Sequence, residues 1–95
     1  MSQNNKHVLI TGTVAFDDIE TPNGSSGKII GGAGTYIALA ASVFSKRISL
    51  ISVIGEDFLE EDIKMLQSKN INTEMIERIS GEKSFYWKGR YHTNF

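Results

Sequence analysis

The 95-residue sequence contains no cysteine, a single proline and no excess of either charge. The absence of cysteine excludes disulfides, thiolate metal ligands and cysteine nucleophiles, and it favours a reducing compartment. A formal net charge of -1 gives no field that would attract nucleic acid or an anionic membrane. The sequence also lacks a secretory signal and any apolar run near the roughly 20 residues of a membrane span. We therefore expect a cytoplasmic protein with no nucleic-acid partner and no membrane partner.

A helix pattern lies between strand patterns, which predicts an α/β fold. Apolar runs predict strands over Val8–Thr13 and Ile48–Ile54, the second of them buried on both faces of a parallel sheet. Shorter strands are predicted over Lys28–Ile30 and Thr73–Ile79, with turn residues between positions 21 and 27. Apolar residues at helical spacing after Thr35 predict a helix, whose buried face comprises Tyr36, Ile37, Ala40, Val43 and Phe44.

A second helix is predicted after Gly55, with Asp57 as its N-cap and Glu60 three residues later. Its buried stripe comprises Phe58, Leu59, Ile63 and Leu66. Two helices cannot cover both faces of a buried sheet, and the last strand pattern stops at Phe95 without a turn or a cap. We therefore interpret residues 1–95 as the N-terminal part of a single, truncated domain.

Three glycines, Gly31, Gly32 and Gly34, lead directly into the first predicted helix. Glycine lacks the Cβ atom that would hold a ligand away from the backbone, and exposed N–H groups at a helix start attract oxygens of sugars, phosphates or carboxylates. Asp17 and Asp18 lie on the predicted exit loop of the first strand. A carboxylate at that place can accept hydrogen bonds from vicinal hydroxyls, although two solvated loop carboxylates are the simpler alternative.

The segment from residue 84 to residue 95 alternates between two kinds of side chain. Phe85 and Trp87 fall on one predicted face, whereas Lys88, Arg90 and His92 fall on the other. One interpretation is a sheet edge that packs on a core. The other is a β-flap whose rings stack on a sugar or a base while the cationic side chains line its mouth.

Other motifs fail at specific positions. The glycine-rich stretch before Lys28 is not a P-loop, because Ile29 stands where that loop needs Ser or Thr. The glycine spacing also departs from the dinucleotide-binding fingerprint. His7 and His92 have no ligand spacing around them, so the sequence predicts no metal site.

Taken together, three segments resemble the N-terminal third of the PfkB family, the ribokinase-like carbohydrate kinases. They are Gly12 to Asp17, Gly31 to Gly34 and Ile54 to Asp57, in the family's order and approximate spacing. The resemblance implies a three-layer α/β/α sandwich with a small β-sheet lid, of which this chain holds the N-terminal part. It also implies lid segments near residues 20–30 and 84–95.

The resemblance further implies ATP-dependent phosphorylation of a hydroxymethyl group on a sugar or a nucleoside. Catalytic residues, and the sites for ATP, Mg²⁺ and a candidate monovalent cation, are expected mainly beyond Phe95, so the chain alone is predicted to be inactive. The predicted substrate contacts are Asp17, Gly31, Gly32, Gly34 and Tyr36, with Trp87, Arg90 and His92 in the lid. The resemblance leaves open whether two chains pair through the lid into a homodimer.

Two positions depart from the family pattern, because Ala15 and Tyr36 stand where ribokinase-type members often carry asparagine. Both replacements remove an amide that could donate and accept at once, which favours another sugar or a nucleoside over ribose. The alternative function is a non-catalytic α/β module that binds a small ligand or self-associates through strand edges. Single-stranded nucleic-acid binding by the aromatic segment is a weaker alternative, because the net charge of -1 opposes it.

Overall fold

The computed structural model describes residues 6–91, which form seven strands and two helices arranged in two sheets. In chain order these elements are β1 (Val8–Thr11), β2 (Ala15–Thr21), β3 (Gly24–Gly31), α1 (Ala33–Ala41), β4 (Ile48–Gly55), α2 (Glu60–Ser68), β5 (Ile71–Asn72), β6 (Ile76–Ile79) and β7 (Phe85–Arg90). Neither helix of this part of the chain is long and apolar enough to cross a membrane.

The core sheet consists of β1, β4, β5 and β6, and every strand in it runs parallel to its neighbour β4. The predicted parallel strand is confirmed, but its burial on both faces is only partly correct. Ile48, Leu50 and Ile54 are buried on one face, whereas Val53 on the other face is 42% exposed. β-branched and large apolar side chains favour this central position because the strand is flanked on both edges. The predicted first strand is two residues too long, because β1 ends at Thr11.

The small sheet consists of β2, β3 and β7 in the order β3-β2-β7. β2 and β3 form an antiparallel hairpin that turns at Pro22 and Asn23, and β7 runs parallel to β2. The prediction that Asp17 and Asp18 lie on an exit loop is wrong, because both belong to β2 and pair with partners on either side. Pairing with two neighbouring strands overrides the low strand propensity of aspartate.

Alternation along paired strands gives the small sheet two distinct faces. The Asp17 face carries Ala15, Asp17 and Ile19 of β2 beside Phe85, Trp87 and Gly89 of β7. The Asp18 face carries Phe16, Asp18 and Glu20 beside Tyr86, Lys88 and Arg90. Phe16 is buried and stacks on Phe58 with ring centroids 5.1 Å apart, so one end of the Asp18 face packs against the core.

Both helices pack on one face of the core sheet, where Ala38 of α1 and Leu66 of α2 join the same apolar cluster as Leu50. The predicted buried face of α1 is wrong. The helix buries Gly34, Thr35 and Ala38 instead, and it exposes Tyr36 (52%) and Ile37 (53%). Val43 and Phe44 lie beyond the end of α1 at Ala41 and are 77% and 85% exposed. The small residues face the sheet because α1 begins in direct backbone contact with the end of β1.

The opposite face of the core sheet is partly exposed. Strand alternation places Leu9 of β1 and Val53 of β4 on it, with 61% and 42% of each residue exposed, although Ser49 on the same face is buried.

The start of α2 also differs from its prediction. Its N-cap is Leu59, which makes no side-chain capping bond, so the assignment of Asp57 as N-cap is wrong. Asp57 Oδ1 instead accepts a hydrogen bond from the backbone N–H of Ser84 across 2.7 Å. Phe58 and Leu66 are buried as predicted, whereas Leu59 is exposed.

Candidate functional site

A groove of about 290 Å³ lies on the Asp17 face of the small sheet. Its walls come from β2, from β7 and from the segments that precede β2 and α1. The lining residues are Thr13, Ala15, Asp17, Gly32, Phe85, Tyr86 and Trp87. The groove therefore contains two residues of the predicted substrate site, Asp17 and Gly32, and one predicted lid residue, Trp87.

Asp17 is the third residue of β2, and α1 brings a phenol to its carboxylate. The hydroxyl of Tyr36 donates a hydrogen bond to Asp17 Oδ2 across 3.2 Å. Burial raises the pKa of Tyr36 above its usual value, and the hydrogen bond and negative charge of Asp17 raise it further. The structure thus brings together two residues that the sequence separates by 19 positions.

Gly31 explains how the Asp17 side chain fits against the sheet. A Cβ atom at Gly31 would overlap the carboxylate of Asp17. Gly31 is buried, so the position lies beneath this carboxylate and does not line the groove. Gly32, by contrast, lines the groove with a φ of 94°, a conformation that glycine adopts without strain.

The N–H groups at the start of α1 are already bonded within the chain. Gly34 N donates to the carbonyl of Thr13 across 2.8 Å, and Ala33 N donates to Thr13 Oγ1 across 3.0 Å. Thr35 N also donates to the Thr13 carbonyl, across 3.4 Å. The expectation that these donors attract ligand oxygens is therefore wrong, because one residue far away in sequence takes all three. Sequence reasoning missed Thr13, since no local capping pattern marks a partner 20 residues from the helix.

Gly34 packs against Gly12 at the end of β1. A Cβ at Gly34 would lie 2.8 Å from the carbonyl of Gly12, and a Cβ at Gly12 would lie 2.9 Å from Gly34 Cα. Both contacts are to backbone, which cannot move aside as a side chain can. The structure thus places Gly34, a predicted substrate contact, in the packing of α1 against β1.

The predicted lid residues Trp87 and Arg90 lie on opposite faces of the small sheet. Trp87 lies on the Asp17 face and is 52% exposed in the groove wall. Arg90 lies on the Asp18 face, where its Nε donates to Glu20 Oε1 across 2.7 Å. His92 lies outside the described residues. Among residues 6–91 the structure therefore brings Trp87, but not Arg90, to the groove.

The Asp18 face holds its own polar arrangement. The hydroxyl of Tyr86 donates to Asp18 Oδ2 across 2.9 Å. The ammonium of Lys28 lies 5.5 Å from the ring centroid of Phe16 and 5.1 Å from that of Tyr86. Cation–π attraction and the phenol hydrogen bond therefore hold Lys28, Tyr86 and Asp18 to one another on this face.

A second cavity, of about 490 Å³, adjoins the groove at the carboxyl end of β1. Thr13 and Phe85 line both cavities, so the two cavities lie next to each other. The remaining walls of the second cavity come from β4, from the chain around β6 and from the end of β1. Open α/β sheets bind ligands at this edge. Within the described residues, no cluster of three or more histidine and acidic side chains is arranged to hold a metal ion.

The geometry defines a class of protein, an α/β unit with a parallel core sheet and a small second sheet that carries the groove. Asp17, Phe85 and Trp87 line this groove, and the phenol of Tyr36 is bonded to the Asp17 carboxylate. Neither family models nor curated proteins match the sequence.

Solved structures do match the fold. A ribokinase from Cryptococcus neoformans var. grubii serotype A, in complex with ADP, superposes with a TM-score of 0.69 at 24% identity over 93% of this chain. A PfkB protein from Polaromonas sp. JS666 gives 0.70 at 16% identity over 90% of the chain. A putative ribokinase from Thermoplasma acidophilum gives 0.68 at 20% identity over 86%. The chain therefore has the fold of the N-terminal part of ribokinase-like kinases, as the sequence predicted.

The chain spans about a third of the length of these proteins, since it covers 30%, 31% and 33% of the three chains.

Proposed function

We propose that this chain is the substrate-binding part of an ATP-dependent kinase that phosphorylates a hydroxymethyl group on a sugar or a nucleoside. The observation that carries the proposal is the position of Asp17, which lies in the groove of a ribokinase-like fold. Its carboxylate accepts hydrogen bonds from ligand hydroxyls. Gly32 lets the ligand approach the backbone, and Trp87 and Phe85 cover the ligand's apolar face.

Tyr36 favours a ligand other than ribose. Its hydroxyl is bonded to one oxygen of Asp17, which leaves the carboxylate less able to bind two vicinal hydroxyls at once. Its ring is half exposed beside the groove, where it offers an aromatic surface. A nucleoside base or the apolar face of another sugar matches that surface better than ribose does.

The catalytic groups and the cofactors belong to the rest of the proposed kinase. ATP, Mg²⁺ and a monovalent cation would be held mainly by residues beyond Phe95, and one protein of the same fold was solved with ADP. Phosphoryl transfer needs groups that stabilise the developing charge, so the 95-residue chain alone is proposed to be inactive. The proposed kinase is cytoplasmic. Its small sheet has two strand edges, on β3 and β7, through which two copies could pair into a homodimer.

The test of this site uses Trp87 as a reporter, because it is the only tryptophan in the sequence and lies in the groove wall. Ribose, hexoses and nucleosides are titrated while its fluorescence is followed. Asp17→Asn is expected to weaken binding of the best ligand by about tenfold, because the charge is removed and one of the two acceptor oxygens becomes an NH₂ donor.

Glu20→Gln is the control. It removes another carboxylate of β2 that lies on the opposite face and does not line the groove, so ligand affinity should stay within about threefold of the parent. Equal losses in both variants, or no fluorescence response to any ligand, would contradict the proposed site.

Kinase activity is tested separately, by ADP release with Mg²⁺ and ATP in a protein whose reading frame continues past Phe95. Ligand-dependent release that falls in Asp17→Asn supports the proposed reaction. Ligand binding without any ADP release would favour the non-catalytic module instead.

A further inference from the structure

The segment Gly55 to Asp57 is bonded directly to the residues that lead into β7. Gly55 N donates to Ser84 Oγ across 2.9 Å, and Ser84 N donates back to Asp57 Oδ1 across 2.7 Å. Between these two bonds, Glu56 N donates to the carbonyl of Glu82 across 2.9 Å. Three hydrogen bonds therefore join the end of β4 to the start of a strand in the other sheet.

The same contact is close enough to require glycine. A Cβ at Gly55 would overlap the backbone of Lys83 and Ser84. Ser84 is 7% exposed, so its hydroxyl and its N–H are removed from competing water. The segment that leads into β7 therefore packs with its backbone directly against the end of β4.

Arg78 of β6 makes hydrogen bonds to the segment from Gly55 to Phe58 as well. Its Nη1 donates to the carbonyl of Phe58 across 2.8 Å and lies 3.3 Å from each of the carbonyls of Gly55 and Glu56. Its Nη2 pairs with Glu60 Oε1 at 2.8 Å. The segment that receives Ser84 is therefore fixed to β6 and to the start of α2.

We propose that Asp57 and Ser84 are positioning residues that fix the start of β7 and so set where Phe85 and Trp87 lie relative to Asp17. β7 is an edge strand that pairs with β2 alone among the described strands. One parallel ladder leaves such a strand able to separate or shift, because its second edge has no partner. The residue bonded in this way, Ser84, immediately precedes Phe85, which lines both the groove and the adjacent cavity.

This inference goes beyond the proposed function, because it concerns how the two sheets are held and needs no ligand. It also gives Asp57 a role that differs from helix capping. A capping aspartate would stabilise α2, whereas this carboxylate acts on β7, 27 positions further along the chain.

The experiment compares Asp57→Ala with Glu56→Ala in the 95-residue chain, by NMR-detected amide hydrogen exchange. In Asp57→Ala, the amides of Ser84 and of β7 should exchange about tenfold faster or more, because a bond to a charged acceptor is lost. Buried amides of β4 should keep the parent rates. Glu56→Ala removes a neighbouring carboxylate whose side chain takes no part in the contact, so it should leave β7 unchanged.

Rescue and a spectroscopic signal separate positioning from general stabilisation. Asp57→Asn keeps an oxygen that can accept from Ser84 N, so it should restore most of the protection of β7. The emission of Trp87 should shift in Asp57→Ala and return towards the parent value in Asp57→Asn.

Equal acceleration in β4 and β7, or a shift of Trp87 emission in Glu56→Ala that matches Asp57→Ala, would overturn the proposal. If Asp57→Ala does not fold, Ser84→Ala carries the test with the same criteria. That variant removes the acceptor of Gly55 N but keeps the N–H that bonds to Asp57.

Discussion

Tyr36 donates a hydrogen bond to Asp17 Oδ2 across 3.2 Å, and this bond ties α1 to the middle of β2 beside the groove. On the opposite face of β2, Tyr86 donates to Asp18 Oδ2 across 2.9 Å. Two adjacent carboxylates are therefore each paired with a different phenol, on different faces of one strand. This arrangement allows the two faces to be probed independently.

The first prediction concerns the titration of these phenols. The main cause of the raised pKa of Tyr36 is burial, with the bond to Asp17 second, whereas for Tyr86 the main cause is the bond to Asp18. Asp17→Asn should therefore lower the pKa of Tyr36 only in part and leave Tyr86 unchanged. Asp18→Asn should lower the pKa of Tyr86 and leave Tyr36 unchanged. Residue-resolved NMR titration measures both, and crossed effects would contradict the assignment of the two faces.

The raised pKa values of the two phenols also predict that the folded state loses stability at alkaline pH. A phenol with a raised pKa in the folded state contributes stability that is fully present below its ordinary value of 10.0 and is lost as pH rises through the folded-state pKa.

The second prediction concerns ligand selectivity. Tyr36→Asn removes the ring and provides an amide that can both donate and accept. We expect the ratio of ribose affinity to adenosine affinity to rise by about two- to tenfold, which corresponds to one net hydrogen bond. Tyr36→Phe keeps the ring and releases Asp17, so adenosine binding should persist. Fluorescence titration through Trp87 gives both ratios, and an unchanged ratio in Tyr36→Asn would show that Tyr36 does not select the ligand.

The third prediction concerns acid. The N–H of Ser84 holds the pKa of Asp57 below its ordinary value of 3.8. A lowered pKa means that the stability from this bond is present above pH 3.8 and is lost as pH falls through the folded-state pKa. Asp57→Asn should therefore show less loss of stability at acidic pH than the parent.

Urea unfolding across an acid series measures this difference between parent and variant. Asp62 acts in the opposite direction, because burial raises its pKa, but it is common to both proteins and cancels in the comparison. Parallel acid dependence in parent and variant would contradict the role of Asp57.

The fourth prediction concerns the different stability effects of replacing Gly34 and Gly31, two glycines of the same cluster. Gly34→Ala places a Cβ against the backbone of Gly12, and we expect it to destabilise the fold by about 1–3 kcal/mol. Gly31→Ala meets the side chain of Asp17, which can rotate away. It should therefore cost under about 1 kcal/mol of stability while it weakens ligand binding.

Urea unfolding together with the Trp87 titration distinguishes these outcomes. Ala33→Ser, on the exposed side of the helix start, is the control and should change stability by at most about 0.5 kcal/mol. A Gly34→Ala variant as stable as this control would contradict the packing described for α1.

The parts of the fold that a local pattern determines could be predicted from the sequence. The continuous β-branched run of β4 indicated a central parallel strand, and the structure has one. The turn at Pro22 and Asn23 was likewise marked by its own residues. The combination of glycine segments with Asp17 indicated the ribokinase-like fold, which the solved structures support.

What depends on contacts between distant segments could not be predicted. β2 contains three acidic residues and is a strand only because β3 and β7 pair with it. The buried side of α1 is set by the Gly12–Gly34 contact, which overrides the apolar periodicity of the helix. Thr13 and Ser84 act on residues more than 19 positions away, so no local pattern identifies either one.

The exposed apolar side chains in the turn that follows α1 have a thermodynamic consequence. Val43 and Phe44 are 77% and 85% exposed in the folded chain, so their hydration changes little on unfolding. The heat capacity increment of unfolding comes mainly from newly hydrated apolar surface. This chain should therefore have a smaller increment than its 40% hydrophobic content suggests, and its free energy of unfolding should vary with temperature along a shallow curve.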